Sequence, residues 1–446
     1  MPIRNNSLLF AFILSVVILT GCKKNNDVIT GPGVTDKLKD SVVIYSREIY
    51  LWYDQIPDGF DGKKYTDPNA IMEAIRPYSV ETGFPQPVDR FSFGRTKVEW
   101  DNISNGIGGD FGLGVFFFAE SDLRVKSVEK ESPAGAAGIR RSWRVTKING
   151  NTNITTSNMD FVRDKVFNSA QTDFTFEKPD ATSVDISLST AFYNTHAVQL
   201  DSIYTINSKK IGYLVFNSFL GDTLEIYNEF QRVFNKFANQ NVTDIIDDLR
   251  YNGGGYVSVQ EKLANYLAPS SANGGFMMAQ QYNNKLNQYN RTTNFRKTGP
   301  LNMDHVFFIV SKGTASASEL LINNLKPYMN VKLVGPSDTH GKPVGFFPHL
   351  VGDWYIFPVS FRTVNKNGEG SYYNGLEVNN QVADGLDKDW GDVRETSLAS
   401  TLKYITTGTF SAQRNAPEIN SPRINLSNLE LDIHSFKGSV GGSLIK

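Results

Sequence analysis

Between about residues 189 and 410, short apolar runs change period repeatedly. Ile211-Gly212-Tyr213-Leu214-Val215-Phe216 is unbroken and reads as a strand. Ile226, Phe230, Val233, Phe234 and Phe237 then fall at helical spacing, ahead of a further strand at Asp244. His305-Val306-Phe307-Phe308-Ile309-Val310 predicts a strand, Glu319 to Leu325 a helix, and Val331-Lys332-Leu333-Val334-Gly335 another strand. Trp354 to Val364 and Tyr372 onward, on either side of Asn367-Gly368, predict a hairpin, and Glu395 to Ile405 a closing helix. Strands alternating with helices place this stretch in the α/β class. From Asp36 to about Asn102 the period is helical, as in Leu38, Val42, Tyr45 and Ile49, with dense aromatics, so a small helical domain is expected there. The composition shifts at Gly106-Ile107-Gly108-Gly109, which marks a boundary, and hairpin and turn signals follow.

Two strand-to-helix turns carry candidate chemistry. Ser316 lies where the His305 strand gives way through Gly313-Thr314-Ala315 to a helix. A hydroxyl on such a turn is presented at the sheet edge, and the first free N–H groups of the helix face the same space. Ser316 is therefore a candidate nucleophile, although Ser is also a favoured N-cap. Upstream, Asp244 to Arg250 runs into Asn252-Gly253-Gly254-Gly255 and the helix-like stretch Tyr256 to Leu267; three glycines let backbone approach a ligand closely. A nucleophilic hydroxyl needs a base. The five histidines, His196, His305, His340, His349 and His434, show no clear Ser/His/Asp order. Lys342 is the alternative, in a short loop with Gly341 and followed by Val344, Phe346 and Phe347. A base at pH 7 needs its pKa lowered by roughly three units from about 10.4, which desolvation among Phe and Val can supply.

These residues resemble the carboxyl-terminal processing, or tail-specific, serine peptidases, which use a Ser/Lys dyad. The family's Gly-Ser-Ala-Ser-Ala-Ser-Glu motif is matched by Gly313-Thr314-Ala315-Ser316-Ala317-Ser318-Glu319, with the nucleophile falling on Ser316 and not Ser318. Its Asp-Leu-Arg-x-Asn-x-Gly-Gly loop is matched by Asp248 to Gly255. The resemblance thus implies an oxyanion hole built from the amides of Gly254, with Gly253 next in line, and Ala317. The family's Phe-Gly-Lys-Gly-Thr-Val-Gln becomes His340-Gly341-Lys342-Pro343-Val344-Gly345-Phe346, so Phe346 replaces the glutamine that orients the lysine. Ser316 and Lys342 are also one residue further apart than usual, a difference the Pro336-to-Thr339 loop can absorb. The resemblance covers roughly residues 105 to 408 and implies a crotonase-like α/β core.

Residues 108 to 188 resemble a PDZ domain. Phe111-Gly112-Leu113-Gly114-Val115-Phe116 looks like its carboxylate-binding loop and peptide-pairing strand, followed by Ser132-Pro133-Ala134-Gly135 and Val145-Thr146-Lys147-Ile148-Asn149-Gly150. Amides around Gly112, Leu113, Gly114 and Val115 would hold a peptide's terminal carboxylate while the strand adds the peptide as a β-strand.

At the N-terminus Arg4 precedes an apolar run from Ser7 to Leu19, too short to span a bilayer well, and then Leu19-Thr20-Gly21-Cys22. The last four residues resemble the bacterial lipobox, which implies cleavage before Cys22 and its lipidation. The expected organisation is a signal peptide over residues 1–21, a tether over 22–35, a helical domain over 36–104, a PDZ-like domain over 105–188, a Ser/Lys peptidase core over 189–410 and a tail over 411–446 with no assignable motif.

A formal charge of −1 with no long basic run, and no Gly-x-Gly-x-x-Gly after a strand, argues against nucleic-acid and dinucleotide partners. Neither His-Glu-x-x-His nor Cys-x-x-Cys occurs, so no metal and no cofactor is expected. The reading is an exported, lipid-anchored serine endopeptidase of the bacterial cell envelope, at the outer membrane facing the periplasm or the surface, acting on proteins or peptides through their free C-termini. A non-catalytic peptide-binding lipoprotein and an ester-cleaving Ser/His hydrolase with His340 as base are the competing classes. Substrate and oligomeric state are left open.

Overall fold

The computed structural model describes residues 34–410 and 436–441. The signal segment, Cys22 and most of the tether lie outside them, as do residues 411–435 and 442–446. None of the helices among the described residues is long and apolar enough to cross a membrane.

The core is a mixed six-stranded sheet ordered Asn380–Gln381, Asn330–Gly335, His305–Ile309, Asp244–Asp248, Lys209–Phe216 and Val198–Ile206. The first five run parallel and the last pairs antiparallel. Parallel neighbours require crossovers, which the helical-period segments provide: Thr223–Asn239 ahead of Asp244, Val257–Leu267 ahead of His305, and Ala317–Leu325 ahead of Asn330. The stripe Ile226, Phe230, Val233, Phe234 and Phe237 is buried against this sheet together with Phe216, Phe308 and Leu321. A second six-stranded sheet runs Gly254–Tyr256, Gly438–Val440, Val344–Phe346, Val359–Val364, Phe276–Tyr282 and Arg291–Asn294.

One expectation is corrected. The Trp354–Val364 hairpin does not close on Tyr372. Gly368 makes the turn at φ +76° and the Asn365 side chain accepts from Asn367 N and Glu369 N, yet Val359–Val364 pairs with Phe276–Tyr282 and Val344–Phe346. The chain at Tyr372–Gly375 instead packs against the lysine loop, where Arg90 Nη2 donates to Tyr373 O at 3.0 Å. The N-terminal helices Asp36–Ile49, Pro68–Ile75 and Lys97–Ser104 pack onto the core. They share one apolar cluster with Val344, Phe346, Phe357 and Val359, and the strand Phe93–Thr96 pairs with Trp354–Phe357.

Residues 113–189 form an antiparallel five-stranded sheet ordered Leu113–Ala119, Asp122–Val128, Arg144–Ile148, Gln171–Glu177 and Ser183–Ser189, with its own apolar cluster. A buried arginine is among the residues that tie this unit to the core. Arg141, 2% exposed, reaches Lys388 O, Lys126 O, Tyr251 OH and Asp384 Oδ1, and its guanidinium lies 4.2 Å from the Trp390 ring centroid.

Candidate active site

The two strand-to-helix turns meet. Asn252, fully buried, donates from Nδ2 to Phe216 O at 2.9 Å, while its carbonyl accepts from Ala315 N and Ser318 Oγ, both at 3.0 Å. Thr314 Oγ1 donates to Leu249 O at 2.7 Å. Behind this contact Arg250 is wholly buried and pairs with Asp248, Asp384 and Glu395 at 2.7, 2.8 and 2.9 Å. Burial alone would raise the Asp384 carboxyl, but Arg141 and Arg250 hold it down to about 2.

Ser316 stands at φ 58°, ψ −106°, a backbone region that non-glycine residues seldom occupy and that costs about 1–3 kcal/mol. The surroundings compensate: Ser316 N donates to Glu319 Oε2 at 2.8 Å and Leu320 N to Ser316 O at 2.7 Å. The elbow starts the Ala317–Leu325 helix, whose first turn therefore opens beside the hydroxyl. Ser318 faces the other way, onto Asn252, as a structural hydroxyl.

Glu319 is the residue that sequence reasoning missed, although it closes the matched motif. It is fully buried and takes four donors: Ser316 N (2.8 Å) and Lys342 N (2.8 Å) on Oε2, Gly341 N (2.6 Å) and Thr339 Oγ1 (2.5 Å) on Oε1. One carboxyl thus spans the Ser316 turn and the lysine loop. Burial raises its pKa and the hydrogen bonds pull it back part of the way.

Lys342 is 1% exposed, and burial holds its amine well below the ordinary lysine range. Its Nζ lies 3.5 Å from the Phe346 ring centroid and 5.2 Å from that of Phe91. Where the family pattern has a glutamine, an aromatic face therefore confines the lysine, with a second ring supplied by the N-terminal segment. His340 N donates to Thr314 O, and its ring, 5.8 Å from Phe91, is pushed down to about 3 by burial and then by the charges of Lys437, Arg90 and Lys342. An imidazole of that kind is a weak base at neutral pH.

Two sequence expectations change at this site. Ser316 is not presented to solvent: it is fully buried, because residues 436–441 cross it. Ser439 Oγ lies 2.6 Å from Ser316 Oγ, and Lys342 Nζ donates to Lys437 O at 2.8 Å. The Gly254 amide donates to Asn252 Oδ1 at 2.9 Å, so it is not open to an oxyanion here. What Gly254 contributes is close approach: at φ +103°, a Cβ on it would lie 3.0 Å from Ala317 N and 2.5 Å from Gly438 O. Gly253 gives its carbonyl to Gly438 N at 2.9 Å.

The loop before Leu113 also differs. Gly112 N donates to Asp110 Oδ1 at 2.6 Å, which puts an intrinsic carboxylate where a peptide's own was expected. Gly112 adopts φ +67°, and a Cβ there would lie 2.0 Å from Ser132 Cβ. Leu113, Gly114 and Val115 pair with Val128, Ser127 and Val125, and their strand stands at the end of the sheet order. Among the described residues no cluster of His, Cys, Asp and Glu could hold a metal ion.

Comparison with known proteins agrees with this architecture. Residues 210–377 match the model of peptidase family S41 and residues 39–93 that of the peptidase S41 N-terminal domain, together half of the chain. A "probable CtpA-like serine protease" of Staphylococcus aureus is 29% identical over 259 residues, which is 57% of this chain and 49% of that protein. Its counterpart in Staphylococcus saprophyticus is 25% identical over 294 residues, 65% of this chain and 56% of that one. The chain spans about half the length of the curated relatives it matches. An S41-type protein of Bacteroides fragilis, solved by crystallography, superposes with a TM-score of 0.67 at 22% identity, covering 85% of this chain and 98% of its own, and so shares the fold. With the Ser316 elbow and the Asp248–Gly255 loop inside the matched region, the chain belongs to peptidase family S41.

Proposed function

We propose that this chain is a serine endopeptidase of the tail-specific type, with Ser316 as nucleophile and neutral Lys342 as its base. The observation that carries the reading is that both groups, buried and on separate loops, reach one extended strand only two residues apart, at 437 and 439. A productive peptide in that slot would present its carbonyl carbon to Ser316 Oγ. Lys342 takes the hydroxyl proton as the Oγ–C bond forms, and the oxyanion is received by the Ala317 amide beside the Gly253-Gly254 turn. Lys342 then returns the proton to the amide nitrogen as the C–N bond breaks, and water repeats the sequence on the acyl-enzyme. Glu319 positions both loops without touching substrate. The depressed lysine supports this assignment over the His340 alternative.

The finer parts of the reading rest on other features. The helix-crossed parallel sheet suits a crotonase-like core. The five-stranded sheet suits a PDZ domain that captures peptides along the edge of Leu113–Ala119. The motif at Cys22 suits a lipid anchor in a bacterial envelope. Ser316→Ala is expected to abolish cleavage of casein by the purified chain while Ser318→Ala keeps most of it. Cleavage surviving in Ser316→Ala removes the nucleophile assignment.

A further inference from the structure

Residues 436–441, Phe-Lys-Gly-Ser-Val-Gly, occupy the slot in which a substrate would have to run. Gly438–Val440 pairs in parallel with Gly254–Tyr256 on one side and with Val344–Phe346 on the other, joining two strands that have no other common neighbour in the sheet. Gly438 N donates to Gly253 O at 2.9 Å and Gly441 N to Phe346 O at 3.0 Å. The Phe436 ring lies 5.4 Å from Trp100 and 6.0 Å from Phe93, and Val440 is 4% exposed in the same apolar cluster. Position 438 demands glycine: a Cβ there would lie 2.9 Å from the Phe346 ring and 2.4 Å from that of Phe436. Past Val440 and Gly441 a cavity of about 520 Å³ opens among Trp100, Tyr256, Arg291 and Tyr355, so the slot continues beyond the segment.

The same segment holds the reacting groups apart from their chemistry. Attack requires Oγ on a carbonyl carbon with its proton on the base. Here Ser316 Oγ meets the Ser439 hydroxyl, Lys342 Nζ holds the Lys437 carbonyl, and no Ser316–Lys342 hydrogen bond occurs among the described residues. The strand is seated as a substrate would be, with polar atoms on both Ser316 and Lys342.

We infer that residues 436–441 are a built-in plug: the chain's own C-terminal segment competes in cis for the peptide slot. The slot accepts extended peptides with an aromatic residue, two residues later a glycine, then a small polar and a β-branched residue. The inference rests on the peptidase reading for the identity of the reacting groups, but occupancy of the slot is measurable without catalysis.

The test compares the full chain with its Gly438→Leu and Phe436→Ala variants in two ways. Hydrogen exchange follows the amides of 253–256, 344–346 and 436–441, and labelling by a fluorophosphonate follows Ser316. The inference predicts faster exchange in all three segments of both variants. It also predicts that Ser316 labels at least about tenfold faster, the response when a plug filling nine-tenths of the molecules is removed. Adding the free hexapeptide Phe-Lys-Gly-Ser-Val-Gly should restore protection at 253–256 and slow the labelling, which also shows that the variants are folded. Unchanged exchange in 436–441, or a hexapeptide that restores nothing, overturns the plug. Peptide-reversible exchange with no labelling of Ser316 in any chain upholds the plug and overturns the peptidase reading.

Discussion

A lysine amine can serve as a base near neutral pH only where water is kept from its charged form, and Lys342 meets that condition through neighbours that are mostly apolar. Phe346 places a ring 3.5 Å from Nζ and Phe91 another at 5.2 Å, while carboxylates near enough to favour the ammonium, Asp89 and Glu319, do not outweigh burial. In the proposed mechanism activity depends on the neutral amine, so the rate should climb as pH rises through a pKa below the usual lysine range. Phe346→Gln brings a carbonyl oxygen toward the amine and stabilises its charged form. The acid limb of the kcat/KM profile should then move to higher pH, with a maximal rate that remains measurable; a profile that does not move would show that Phe346 has no part in setting the base.

At the scale of elements, the local parts of the site were legible in the sequence and the distant ones were not. The strand at His305, the turn at Ser316 and the helix after it carry their own signals, an apolar run, small residues and helical spacing, and the structure has them within two residues of expectation. Residues 436–441 carry none, because a Gly-containing hexapeptide becomes a strand only through two edges supplied by segments some ninety and one hundred and eighty residues away. For the same reason the burial of Ser316 could not be foreseen. Glu319 lay inside a quoted motif, yet its role depends on a loop twenty residues on. Glu319→Gln keeps the shape but gives that site an NH₂ group facing donors. Leaving buried donors unsatisfied costs about 1–3 kcal/mol each, so a loss of roughly 2–4 kcal/mol in urea unfolding is expected, with kcat falling more than KM rises. Wild-type stability in Glu319→Gln would mean that the carboxyl does not hold the two loops together.

Across the whole molecule, one buried ionic network joins the five-stranded unit to the loop that frames the site. Arg141 comes from the first and Arg250 from the second; they share Asp384, and Glu395 and Asp248 complete the set. Such a network adds little net stability over apolar packing, but removing one partner strands a buried charge at a cost of about 3–5 kcal/mol. Arg141→Met should therefore release the five-stranded unit from the core. Faster proteolytic nicking between residues 189 and 198 is expected, with a lower melting temperature, while residues 210–377 keep their protection from hydrogen exchange. An unaltered nicking pattern would place the contact between the units elsewhere.

The central claim is that Ser316 attacks peptide carbonyls with neutral Lys342 as its base, and fluorophosphonate labelling mapped by mass spectrometry tests it most directly. It should be run across pH on the parent chain, on the plug-displaced Gly438→Leu chain, and on each carrying Lys342→Arg, which keeps the charge but cannot deprotonate. The account predicts a single adduct on Ser316 whose rate rises with pH through a depressed lysine pKa, and no adduct in either Lys342→Arg chain. An adduct on another residue, or undiminished labelling of Ser316 beside an arginine at 342, would contradict it.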